Sequence, residues 1–181
     1  MTFETGRLLL RPWREDDAEA LYQYASDPDI GPSAGWPVHT DVESSREIIR
    51  TVLSADGTFA IVSKENGAEP IGNIGYFTTE AKPGTADMEL GYWLGKPFWG
   101  RGYVPEAMHC LMEYLFCEAG QRRLWAAHFD FNGKSRRVIE KCGFRHEFVR
   151  ELSSELMHRR YITHYYSIYR EEWAVKSRTK E

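Results

Sequence analysis

Residues 88–115 constrain this chain most tightly: an alternating strand pattern runs through a glycine-punctuated loop directly into a helix-period apolar stripe. Over residues 88–94, Met88, Leu90, Tyr92 and Leu94 fall on one face, and Glu89, Gly91 and Trp93 fall on the other. Past the loop, Val104, Ala107, Met108, Leu111 and Leu115 recur at the spacing of one helix face. Pro105 fits the first turn, where a missing N–H costs no intrahelical bond. A strand that feeds a helix in this way belongs to layered α/β architecture. It also leaves successive backbone N–H groups over residues 99–104 converging ahead of the helix N-terminus. Gly100 and Gly102 let that backbone approach a ligand without Cβ atoms in the way, so the loop suits an anion such as a pyrophosphate.

The remaining segments supply the layers. Residues 7–11 make an apolar strand closed by Pro12. Asp16 or Asp17 is placed to cap a helix in which Ala18, Leu21, Tyr22 and Ala25 fall at i, i+3, i+4 and i+7. After a loop at residues 31–37, Asp41 caps a second helix running to about Leu53, with Ile49, Val52 and Leu53 inward. Thr58–Ser63 and residues 71–78 read as strands joined through an Asn66-Gly67 turn. Arg123–Phe129 is a strand, residues 134–142 a short helix stopped by Gly143, and residues 144–149 and 161–169 the last two strands. This order predicts an α/β sandwich around one mostly antiparallel sheet. We expect a single domain over residues 1–173, followed by a polar tail at 174–181.

Composition narrows the function classes. No apolar run approaches the ~20 residues of a bilayer span, and the apolar run near the N-terminus is too short for a signal sequence. A cytoplasmic protein with no membrane partner is expected. Three cysteines (Cys110, Cys117 and Cys142) without CxxC spacing argue against disulfides and a zinc site, and predict buried free thiols. The six histidines form no HExxH motif, so no metal is expected. The basic residues lack aromatic interleaving, which argues against nucleic acid. The net charge of −4 hides an asymmetry. Residues 1–95 carry 16 acids against 7 bases, and residues 96–181 carry 11 against 16. The second half suits a polyanionic ligand and the first a cationic one.

Other phosphate motifs fail on spacing. Pro105 sits where a dinucleotide fingerprint needs its third glycine, and His128 sits where a P-loop ending at Gly133-Lys134-Ser135 needs its first. No GxSxG elbow is present.

Five blocks in order carry a more specific signal: TGRLLLRPWREDDAEALYQYASDP from Thr5, PIGNIGY from Pro70, MELGYWLGKPFWGRGYVPEA from Met88, FNGKSRRVIEKCGF from Phe131 and YYSIYREEW from Tyr165. Together they resemble the GNAT N-acetyltransferases, and within them the RimJ/RimL-like branch that acetylates ribosomal-protein N-termini. The resemblance implies a GNAT-like fold, a single mixed and mostly antiparallel twisted sheet with helices on both faces. It implies acetyl-CoA as cosubstrate and an amine acceptor, and is compatible with a monomer or a homodimer.

Residue by residue, positions 99–104 match the family's Q/R-x-x-G-x-G/A pyrophosphate loop. Trp99, Gly100, Arg101, Gly102, Tyr103 and Val104 are therefore expected to bind the cofactor, with Trp93 and Leu94 of the preceding strand. Trp99 replaces the family's Gln or Arg, and Val104 replaces its small last residue, setting bulk where a phosphate approaches. Asn132 and Ser135 match the N-x-x-A/S pair that touches the pantetheine arm, with Arg136 beside them. Ile139 stands where many members place a proton-donating Tyr, and the resemblance to the RimJ/RimL-like branch, in which a Ser at the N-x-x-S position has been suggested for that role, implies Ser135 as the donor to the departing thiolate.

Transfer to an amine needs a neutral nitrogen, and amines titrate near ~8 to ~10.4. Glu89 is the expected base, and a backbone N–H near Leu90 or Gly91 the expected oxyanion donor. Trp36 is expected to face the acceptor. The function implied is direct acetyl transfer from acetyl-CoA to a protein N-terminal α-amine. A small-molecule amine acceptor (an antibiotic, polyamine or amino acid) and a non-catalytic CoA-binding module are the alternatives.

Overall fold

The computed structural model describes residues 1–65, 67–79, 81–82 and 84–178, with side chains through Ala174. The expected Asn66-Gly67 turn therefore lies partly outside the described residues. The chain opens with a hairpin of β1 (Phe3–Glu4) and β2 (Leu8–Arg11). A 3₁₀ turn at Glu15–Asp17 leads into α1 (Ala18–Ala25). Asp17 stands at the N-cap position, but its side chain caps nothing in α1. Its two oxygens take both guanidinium ends of buried Arg11 at 2.7 and 2.8 Å, tying the helix entry to β2. A bidentate pair holds a buried carboxylate better than a single N–H would.

A four-residue helix, α2 (Gly31–Ala34), lies within the stretch expected as loop. Asp41 then caps α3 (Val42–Ile48) as expected, accepting the Ser44 N–H at 2.6 Å. The helix continues as a π turn over Ile49–Leu53. The wider turn keeps Ile49 and Leu53 inward and rotates Val52 out to 52% exposure, against the expectation of an α-helical face.

Next come β3 (Thr58–Ser63), β4 (Pro70–Thr78) and β5 (Met88–Leu94), then α4 (Tyr103–Cys117), β6 (Arg123–Phe129) and α5 (Gly133–Lys141). β7 (Arg145–Ser154) and β8 (Arg159–Tyr169) follow, and α6 (Arg170–Arg178) runs through most of the stretch read as a tail. The expected buried-thiol pattern holds for Cys142 alone. Cys110 is half-buried, and Cys117, the last residue of α4, is exposed.

All eight strands form one sheet, in the order β1-β2-β3-β4-β5-β6-β8-β7. Every pairing is antiparallel except β5 with β6. Helices cover both faces. On one face α4 buries Ala107, Met108, Leu111, Met112 and Phe116 against Leu8, Leu10, Ile61, Ile74, Leu90 and Leu124, with Ile139 of α5 in the same core. Each such leucine contributes about 1.5–3 kcal/mol by burial. On the other face α1 and α3 pack Leu21, Ala25, Ile49 and Leu53 against Ala60 and Trp93.

Candidate active site

The parallel pair does not stay together. Met88, Glu89 and Leu90 pair with Leu124, Trp125 and Ala126, but β5 runs on to Leu94 and β6 to Phe129 without further pairing between them. From Gly91 onward the edge of β5 that faced β6 is released. A strand that leaves its neighbour inside a sheet exposes backbone polar groups that a ligand can take.

The loop that follows β5 begins with a 3₁₀ turn at Lys96–Phe98. Gly100 and Gly102 have φ of +77° and +79°, the left-handed region that disfavours other residues. A Cβ at Gly100 would meet nothing within 4 Å, so the requirement there is conformational. Gly102 is the N-cap of α4 and has no side-chain cap bond, which leaves the first-turn N–H groups directed ahead of the helix.

Val104 is packed into the core under the sheet, so its added bulk points away from the anion site. Tyr103 is buried too, its hydroxyl donating to Glu65 at 3.0 Å, so both residues offer the loop only backbone. Trp99 acts as a strut. Its indole N–H donates to the Leu94 carbonyl at 2.7 Å, and its ring carries the Lys134 ammonium at 3.8 Å. Arg101 is exposed at the loop tip.

The opening block of the sequence fastens this loop. Glu106 in the first turn of α4 accepts from Thr5 Oγ1 at 2.6 Å and from the Arg7 N–H at 2.9 Å. The Arg7 guanidinium also donates to Glu106 at 2.7 Å and to the Arg101 carbonyl at 3.0 Å.

Asn132 caps α5 by accepting the Ser135 N–H at 3.0 Å, and its amide donates to the Ser33 carbonyl of α2 at 3.1 Å. Arg136 is exposed and paired with Glu140 at 2.8 Å. Ile139 is fully buried. Ser135 Oγ lies 2.8 Å from the hydroxyl of Tyr92, which reaches it from β5. Burial drives the Tyr92 hydroxyl far above the usual phenol range, with Ser135 opposing, so it keeps its proton. Tyr92 was missed as a site residue. The alternation already put it on the side of Leu90 and Leu94, but it read there as core.

Glu89 projects from the opposite face. It accepts a hydrogen bond from Thr79 Oγ1 at 2.6 Å, and Thr79 Oγ1 in turn accepts the Ala81 N–H at 3.0 Å. Burial raises the Glu89 pKa, and the Thr79 bond opposes the rise. Trp93 shares this face. Its ring lies 6.2 Å from Trp13 and 6.0 Å from Trp36, so it offers the α4 face only its backbone. Trp36 stacks obliquely on His39, and its ring passes so close to Gly31 that a Cβ there would sit at 2.7 Å. Glu89 and Ser135 are thus held on opposite sides of the sheet, next to the strand separation.

Among the described residues no helix is long and apolar enough to cross a membrane, and no cluster of His, Cys, Asp or Glu is arranged to hold a metal. Residues 7–145 match the family described as "Acetyltransferase (GNAT) domain". The uncharacterized N-acetyltransferase p20 of Bacillus licheniformis is 34% identical over 151 residues, covering 81% of this chain and 83% of that protein. YdaF of Bacillus subtilis, provisionally named a ribosomal N-acetyltransferase, is 36% identical over 92 residues, 47% of this chain and 46% of its own. In solved structures, an acetyltransferase (GNAT family) from Bacillus anthracis superposes with a TM-score of 0.82 at 26% identity, covering 94% of this chain and 99% of that one.

Proposed function

Because this chain belongs to the GNAT acetyltransferase family, we propose that it moves the acetyl group of acetyl-CoA directly to the α-amine of a protein N-terminus of the ribosomal type. The family uses acetyl-CoA. Supporting the choice of acceptor are the five-block resemblance and the 36% identity over 92 residues to YdaF. The observation that carries the transfer itself is the parting of β5 from β6 at Leu90, with a carboxylate on one side and a hydroxyl pair on the other.

In this reading the left-handed glycine loop and the α4 N-terminus hold the pyrophosphate through backbone N–H groups. The released edge of β5 beyond Leu90 receives the pantetheine arm and supplies an N–H to the developing oxyanion. The cosubstrate brings an acetyl group activated as a thioester. Glu89 takes the proton from the attacking amine, directly or through water, and its raised pKa brings it closer to that of its task. The new C–N bond forms as the C–S bond breaks, and Ser135 gives its proton to the leaving sulfur. Ser135 regains a proton from solvent as the products leave, and Tyr92, which keeps its own, orients the Ser135 hydroxyl from 2.8 Å away.

Cys110 and Cys117 lie on α4, and Cys142, though close enough to act on the Tyr92 hydroxyl, is buried beside Met108. Transfer therefore proceeds without an acetyl-enzyme. Thiol release from acetyl-CoA, measured against N-terminal peptides and free amines, tests the assignment. Acetyl-CoA binding without thiol release to any amine would reduce the chain to a CoA-binding module.

A further inference from the structure

The face of the sheet that carries Glu89 also bears a cavity of about 440 Å³. Trp93 and Trp36 contribute indoles to it, Leu21 comes from α1, Ile48 and Leu53 from α3 and its π turn, and Leu156 from the connection between β7 and β8. A cavity of about 150 Å³ lined by such residues already admits benzene. This one accepts an aryl or branched alkyl group with room for the atoms that attach it, whereas a methyl or hydroxymethyl group would leave most of it unfilled.

Its position ties it to the reaction centre. Trp93 lies two residues beyond Gly91, where β5 leaves β6, which is about 7 Å along an extended strand. Both side chains on this face, Glu89 and Trp93, alternate with the residues that face α4. An amine at the strand separation therefore sets the substituent of its own carbon over Trp93.

The electrostatics exclude a polycation. Among the described lining residues Glu47 is the only carboxylate, its side chain is 60% exposed, and it lies 3.7 Å from Arg50. His39 bonds Ser45 at 2.8 Å, and burial holds its pKa down, so it is neutral near pH 7. Several acids of the first half are engaged elsewhere, in pairs such as Arg11 with Asp17, Arg50 with Glu15, and Lys96 with Asp27 and Asp29. A linear polyamine needs several carboxylates, and this cavity offers none that is buried.

We infer that the acceptor amine sits on a carbon bearing a bulky apolar side chain, of leucine, phenylalanine or tryptophan size. The inference rests on the acetyltransferase function proposed above. The same chemistry is presented by the first residue of a peptide and by a free arylalkylamine, and the assay separates the two.

The test uses the full chain with acetyl-CoA. Thiol release is followed for otherwise identical peptides beginning with Phe, Leu, Ala or Ser, for phenethylamine and for a linear polyamine. Burying one such side chain predicts a kcat/KM for Phe- and Leu-first peptides about 10- to 100-fold above that for Ala- and Ser-first ones. Phenethylamine matching the Phe peptide would assign the free amine as the source of the same group, and a much poorer rate would assign the peptide. Preference for Ala, Ser or the polyamine overturns the inference while leaving acetyl transfer standing. Release from no amine, with acetyl-CoA bound normally by calorimetry, overturns the transferase function instead. Val52→Glu, at a half-exposed cavity residue, is expected to raise KM for the Phe-first peptide about tenfold with acetyl-CoA affinity unchanged. An unchanged KM in that variant would also overturn the inference.

Discussion

The two faces of this sheet are built by different means. On the α4 face the proposed anion site is made of backbone: two glycines in left-handed conformation, an uncapped helix N-terminus and a strand edge freed from its partner. Its side chains mostly point away or act as struts, as Val104, Tyr103 and Trp99 do. On the α1/α3 face the cavity inferred to take the acceptor is lined by residues from separate elements. A backbone site tolerates exchange of side chains and fails when its conformation is lost. A side-chain site does the reverse, so one face can serve a constant cosubstrate while the other is free to vary its acceptor.

The largest effect should come from attacking the backbone. Gly102→Val places a β-branched residue at φ +79°, where a Cβ would meet only the end of Arg7 at 3.6 Å. Packing survives, and the loop conformation does not. Acetyl-CoA should raise the melting temperature of the native chain by mass action and leave that of the variant unmoved. A full shift in the variant would mean that the loop does not hold the pyrophosphate, and the contrast between the faces would fall.

Glu89→Gln attacks the other face. At pH 7 turnover should drop by about 10²–10⁴-fold, the usual worth of a general base, with acetyl-CoA affinity within about threefold. Since the Glu89 pKa is raised by burial, the native rate should climb with pH through that titration, and the variant should lack the limb. The deficit should shrink at pH 9.5, where free amine is abundant. An equal deficit at both pH values would make Glu89 structural.

Much of the α4 face was readable from sequence because its determinants are local. A strand alternation, two glycines, a first-turn proline and a helix stripe lie within 28 consecutive residues, 88–115. The same locality made the strands β3 to β6 and the Asp41 cap legible. What escaped depends on distant partners or on small changes of pitch. Asp17 looked like a cap until Arg11 claimed both its oxygens. Val52 looked inward until a π turn rotated it. Val104 looked obstructive because spacing does not tell which way a side chain leaves a loop. Tyr92 looked like core because its partner, Ser135, lies 43 residues away in sequence. The cavity escaped for the same reason, being shared by residues from Leu21 to Leu156.

A smaller effect is expected at the hydroxyl pair. The leaving thiol has an ordinary pKa near ~8.5, so assistance to it is worth about 10²-fold, the low end of such steps. Ser135→Ala should lose that much turnover, with acetyl-CoA affinity within about threefold. Tyr92→Phe, which keeps Ser135 and its helix cap, should lose about tenfold, part of the same assistance. A tenfold fall in affinity with unchanged turnover in Ser135→Ala would leave water as the donor.

The smallest effect lies in stability, and it asks whether Glu89 is maintained on its face against the interest of the fold. A buried carboxylate with a raised pKa is favoured in its neutral form in the folded protein. Its contribution is fully present below the unfolded pKa and is lost as pH rises through the higher folded value, so at pH 8 the ionised group weighs against folding. Glutamine keeps the shape and still offers the Thr79 hydroxyl an acceptor oxygen. Glu89→Gln should therefore match the native melting temperature near pH 4 and exceed it at pH 8. The difference in melting temperature between the two proteins should open as pH rises through the Glu89 titration. A variant that gains stability at pH 8 while losing turnover marks Glu89 as held for chemistry. A variant that melts lower at pH 8 would make the carboxylate part of the scaffold, and the acceptor face would then need another base.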